Sequence, residues 1–189
     1  MAISPNLLRT IEPTHAAQIE ALLEQLVFPV ARNTVVCPNI SHGFFRSHES
    51  DLVCVSKAGW LTEVEIKVSA SDWKNDRKKS KWQSEDDAVS EELYDRRVRR
   101  FFFAAPLSLA RRYQEFNIML FAGVLGFSWE EYQRTGSPYC VPRVEHIRPA
   151  KDLKGSRKVT DKELLTLSKL SSMRYWGLRQ AMSGNPYNK

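Results

Sequence analysis

Cysteine is scarce in this chain. Cys37, Cys54 and Cys140 are scattered, odd in number, and form no CxxC pair or Cys/His cluster. That argues against a disulfide framework and a zinc site, and fits a reducing cytosol. No run is long and apolar enough to span a membrane, so no membrane partner is expected. The opening residues, MAISPNLLRTIEP, hold neither a long apolar core nor an early basic cluster, which argues against a secretory signal. His15, His42, His48 and His146 show no paired spacing. A GxSxG nucleophile elbow and a GxxxxGKS phosphate loop are both absent. Internal repeats and low-complexity segments are missing too.

What is present suits one domain with a sizeable core. The chain has 189 residues, 28 Lys plus Arg against 22 Asp plus Glu, and a net charge of +6. This excess permits a polyanionic partner such as nucleic acid without demanding one.

Residues 1–13, with Pro5 and Pro13, read as an arm. Thr14 is a suitable N-cap for a helix to about Phe28, with Ala16, Ile19, Leu22, Leu23 and Leu26 on one face and Glu20 at its edge. Asn33 to Arg46 reads as one or two short strands. Asp51–Ser56 and Trp60–Ser69 are the clearest strands. Ser71 or Asp72 then caps a basic helix carrying Lys74, Arg77, Lys78, Lys79 and Lys81. Those cations either grip phosphates or form a solvated face. Ser84 and Asp87 open a second, acidic helix that Arg96, Arg97, Arg99 and Arg100 close. FFFAA (101–105), IMLFAGVLGF (118–127) and Tyr139–Ile147 are further strands, with a short helix after the first. Residues 151–158 form a polar linker. Thr160 and Glu163 make a capping box for a last helix to about Met182. Its apolar residues face more than one way, which leaves a homodimer open.

The hairpin is the most specific feature. Lys57-Ala58-Gly59 suits a three-residue loop with a left-handed residue at Gly59. Centring the register on Ala58 sets Asp51 opposite Glu65, roughly 5 Å apart on one face. Lys67 shares that face, and so does Glu63, opposite Val53. Two carboxylates so close repel, and a divalent cation compensates well. Lys67 adds a charge able to orient water or stabilise a developing phosphoryl charge. A one-residue slip would turn Glu65 and Lys67 to the other face.

Ser50-Asp51, thirteen intervening residues, and Glu65-Ile66-Lys67 resemble the PD-(D/E)XK, or restriction-endonuclease-like, nuclease superfamily. Ser50 stands where the motif's name has proline. The extension VSASDWKNDRKKSKW, with RFFFAAP and AGVLGF, is similar to bacterial and phage members in the branch of MmcB-like DNA-repair proteins. The resemblance covers roughly residues 14–150, with 151–189 added as linker and C-terminal helix. It implies an α/β core of helix, antiparallel hairpin, helix and strand, in a mixed sheet flanked by helices. It further implies a DNA nuclease using Mg²⁺ or Mn²⁺, with Asp51 and Glu65 as metal ligands, Lys67 as catalytic lysine and Glu20 as a helix carboxylate. The other expectation is an inactive nuclease-like fold that binds DNA or a protein partner.

Overall fold

A computed structural model describes residues 6–40, 43–45, 48–76, 95–116, 119–134 and 137–182. Its frame is one mixed sheet. The strands are β1 (Asn6–Ile11), β2 (Asn33–Ile40), β3 (Ser50–Ser56), β4 (Leu61–Ile66), β5 (Val98–Pro106), β6 (Gly123–Arg134) and β7 (Ser137–Arg148). The helices are α1 (Ala16–Leu22), α2 (Ala70–Asp76), α3 (Leu107–Arg111) and α4 (Asp161–Met182).

The sheet order is β1-β6-β5-β4-β3-β2, with β7 also on β6. Strands β2, β3 and β4 form an antiparallel meander. After α2 the chain returns so that β5 lies parallel to β4, and β6 then lies parallel to β5. The central strands are rich in Val, Leu, Ile and Phe because both faces of the sheet are covered. On one face, Ile19, Leu22 and Leu23 of the first helix meet Leu52, Cys54, Val64 and Ile66. On the other, Val53, Val55, Leu61, Phe101 and Phe103 pack with Trp73 of α2, Leu109 of α3 and Leu167 of α4.

The hairpin register is the one expected. Leu52 pairs with Val64, Val53 with Glu63, and Val55 with Leu61, all centred on Ala58. Gly59 has φ +82°, and its N–H donates to Ser56 O at 2.9 Å. A Cβ there would meet only Lys158 carbons, at 3.6 Å and beyond. The cost of Gly59→Ala is therefore conformational, expected at about 1–2 kcal/mol by urea unfolding.

Several expectations change. The N-terminal arm is in part a strand, β1, paired antiparallel with Trp129–Gln133 of β6. The first helix is capped by His15 and not Thr14: Gln18 Oε1 accepts from the Thr14 and His15 N–H groups, at 2.8 and 3.3 Å. That helix finishes as a π-helical turn over Leu23–Val27. Arg99 and Arg100 do not close a helix; they lie in β5, which starts at Val98. The beginning of the expected acidic helix falls outside the described residues. The strand expected over residues 118–127 begins only at Gly123 and runs on to Arg134. Pro138 and Pro142 sit in β7, whose second edge carries no strand among the described residues, as proline requires.

The last helix starts as its capping box requires. Thr160 Oγ1 and N–H both donate to Glu163 Oε2 (2.9 and 2.8 Å), and Glu163 N–H donates back to Thr160 Oγ1 at 3.3 Å. The Arg157 guanidinium holds the Glu163 carboxyl at a pKa of about 2. Because this value is depressed, the stability it contributes is full above the ordinary carboxylate range and is lost as pH falls toward 2. Thr160→Ala is expected to cost about 1 kcal/mol in chemical denaturation. Glu163→Gln is expected to flatten the acid limb of the stability curve. Farther along, Ser171 Oγ donates to Val36 O (3.4 Å) and Arg174 donates to Asn39 O (2.6 Å), fastening α4 to strand β2. Met173, Tyr175, Trp176 and Leu178 remain exposed.

Candidate active site

Strand β4 carries Glu63, Glu65 and, just past its end, Lys67. Alternation puts all three on the face shared with Val53 and Phe103. They are 0%, 2% and 1% exposed, an unusual burial for charged groups. Lys67 Nζ lies 3.0 Å from Glu65 Oε1. The backbone holds the lysine in line, since Lys67 N–H donates to Ala104 O of β5 at 2.9 Å and so extends the parallel ladder past Ile66.

Asp51 reaches this end of the sheet from β3. Its Oδ2 accepts the Ile66 N–H at 2.7 Å. The carboxylate therefore sits against the β4 backbone immediately beside Glu65, as the register implies. Asp51, Glu65 and Lys67 thus come together at one strand end.

Glu20 is not joined to that cluster. Its helix covers the opposite face of the sheet. Its carboxyl accepts from Asn39 Nδ2 at 3.4 Å, and Asn39 falls level with Asp51, between the pairs Pro38–Leu52 and Ile40–Ser50. Burial raises the Glu20 pKa, with the Asn39 hydrogen bond opposing it. Lys74 is exposed on α2, and Arg77, Lys78, Lys79 and Lys81 lie outside the described residues. Ser69, and not Ser71 or Asp72, caps α2: its Oγ accepts the Asp72 N–H at 3.1 Å, while Asp72 Oδ2 accepts the Val68 N–H at 3.3 Å.

The sequence reading passed over a second buried pair. His48 Nε2 lies 3.1 and 3.3 Å from the two Glu63 oxygens, and the imidazole stacks on Phe45 with centroids 4.4 Å apart. The shared face of Glu63 and Glu65 was a usable signal. The closeness of His48 to Asp51 in sequence places it near the site, but its pairing with Glu63 carries no periodic signal.

The donor chemistry suits a hard cation. Asp51 and Glu65 offer carboxylate oxygens, which Mg²⁺ and Mn²⁺ prefer, and a carboxylate has room for a cation beside an ammonium. Among the described residues, no three His, Cys, Asp or Glu side chains gather into a complete metal cage. Thiolate chemistry is disfavoured at the two buried cysteines, where burial pushes Cys37 up to about 11 and Cys54 up to about 12.

No protein-family model matches the sequence, and no curated protein matches it. Among solved structures, the chain is similar to a protein of unknown function from Silicibacter pomeroyi. The identity is 16% and the TM-score 0.44, over 82% of each chain. Likeness at that level carries no argument about function. No described helix is long and apolar enough to cross a membrane.

Proposed function

We propose that this chain is a metal-dependent deoxyribonuclease with a restriction-endonuclease-like core, and that it hydrolyses DNA phosphodiester bonds at the Asp51–Glu65–Lys67 end of β3 and β4. The observation that carries the reading is the convergence of these residues. Asp51 Oδ2 accepts from Ile66 N–H, next to Glu65, and Lys67 Nζ is 3.0 Å from Glu65 Oε1. The chain path supports it: an antiparallel hairpin, a helix, then a strand parallel to the hairpin's second arm.

Asp51 and Glu65 would hold Mg²⁺ or Mn²⁺, which when bound supplies Lewis acidity and lowers the pKa of a coordinated water. Lys67 presents an ammonium beside Glu65, placed to orient the attacking water and to stabilise charge on the phosphoryl oxygens. Burial around Lys67 keeps this charge in a low-dielectric setting, where it acts more strongly than in water. The basic side chains from Lys74 to Lys81 would hold the DNA backbone.

A second reading has its own support. Both carboxylates already have protein partners, in Ile66 N–H and Lys67, which also suits a nuclease-like fold that binds DNA and cuts nothing. Purified protein incubated with linear, nicked and single-stranded DNA, with and without Mn²⁺, separates the two. Cutting that needs the metal supports the first. Binding that ignores the metal, with no cutting, supports the second.

A further inference from the structure

At the other end of the same strands lies a different surface. The hairpin loop carries Lys57, and β5 begins beside it, with Arg100 paired to Thr62. Residues 151–160, expected as a linker, run across both. Leu153 N–H donates to Arg99 O at 2.8 Å, Arg157 N–H to Arg96 O at 2.7 Å, and Val159 N–H to Gly59 O at 3.0 Å. The segment is thus a strap sewn to the sheet edge by its backbone: Lys151 N–H donates to Phe121 O at 2.9 Å just before β6, Lys154 follows the bond to Arg99, and Lys158 lies against Gly59 of the loop that carries Lys57.

The side chains here are held as well as gathered. Asp152 accepts from Arg99 Nε and NH2 (3.0 and 2.6 Å) and from Arg100 Nε (2.6 Å). The Arg99 guanidinium lies 4.3 Å from the Trp60 ring centroid, and Lys158 Nζ lies 5.7 Å from it. Lys57, Arg96, Arg100, Lys151, Lys154 and Lys158 are all exposed. Of the acidic groups nearby, Asp152, Glu163 and Asp95 are engaged by Arg99 with Arg100, by Arg157 and by Arg97, while Asp161 at the start of α4 is exposed. What faces solvent is an array of cations set by three hydrogen-bonded backbone segments.

We propose that this strap surface is a sequence-independent binding site for the phosphate backbone of duplex nucleic acid, separate from the carboxylate end of the sheet. The strand rise from Trp60 to Lys67 sets the two ends roughly 20 Å apart. Cations carried on a hydrogen-bonded backbone suit the densely charged phosphate ladder of a duplex, whereas an anionic lipid surface calls for an apolar anchor as well. Trp60 has cations against it and does not offer an open ring for base stacking, so the contacts are to phosphate and sugar, which position without reading sequence.

The test uses the full chain carrying Lys57→Gln, Lys151→Gln and Lys154→Gln, which spare the arginines engaged with Asp152 and Glu163. Binding of a labelled blunt duplex is followed by anisotropy across a salt series without divalent metal. The wild type is expected to bind with a steep salt dependence. The triple variant is expected to bind about tenfold more weakly near physiological salt, with a log–log slope shallower by about two to three. Its melting temperature reports that the fold is intact. Wild-type protein that fails to bind the duplex overturns the proposal. So does a triple variant with unchanged affinity and slope, or a wild type that binds phosphatidylserine vesicles in place of the duplex. Failure to cleave DNA leaves these outcomes untouched, so the nuclease reading and this one fail separately.

Discussion

Exchanging Asp51 for asparagine is expected to lower the rate of metal-dependent DNA cleavage by about a hundred- to a thousandfold, while the fold stays in place. The variant is informative because of what Asp51 does structurally. Its Oδ2 accepts the Ile66 N–H at 2.7 Å, and an asparagine carbonyl oxygen accepts that hydrogen bond equally well. The charge goes while the local bond remains. Melting temperature should therefore move little, and affinity for Mn²⁺, read by calorimetry, should fall together with the rate. Cleavage by Asp51→Asn at the wild-type rate would sink the proposed mechanism. Loss of cleavage with unchanged Mn²⁺ affinity would remove Asp51 from the metal site and leave it a positioning residue.

Lys67→Ala is expected to destabilise the protein by about 3–5 kcal/mol, because it takes a buried ammonium from a buried carboxylate. Lys67 is 1% exposed and Glu65 2%, with 3.0 Å between Nζ and Oε1. The lysine stem is itself among the fully buried side chains, so part of the loss is packing. A companion variant separates the two contributions. Lys67→Met paired with Glu65→Gln restores the volume and removes both charges. Replacing a buried pair by neutral groups of similar size is often close to neutral. The double variant should therefore recover most of the lost stability in urea unfolding while remaining inactive. If Lys67→Ala unfolds at the same denaturant concentration as wild type, the ion pair contributes nothing and the burial has another cause.

The parts of the site legible in the sequence were those governed by local rules. Gly59 fixes the turn, the turn fixes the register, and alternation then places Glu63, Glu65 and Lys67 on one face. The capping box at Thr160 is local in the same way. What sequence reasoning could not reach depends on partners far along the chain. The N-terminal segment becomes a strand only because β6 runs long enough to pair with it after leaving β5. Arg99 and Arg100 read as the end of a helix because the charge pattern before them was helical. The apolar run that follows, Phe101–Ala105, pulls them into β5 instead. The His48–Glu63 pair needed the path of an irregular segment, which no periodicity encodes. Residues 151–158 looked like a linker because polar composition cannot distinguish a loose tether from a strap tied down through its backbone.

One contact made by the last helix bears on how the protein behaves in company. Among the described residues strand β2 ends the sheet, and a terminal strand offers its carbonyls to any passing chain. Ser171 and Arg174 occupy two of these, at Val36 and Asn39, and Leu167 anchors the helix in the core beside them. The C-terminal helix is thus a guard against sheet-to-sheet growth. A chain ending before Asp161 would keep its β3–β4 hairpin and the residues on it, yet it should associate through the bared strand as concentration rises.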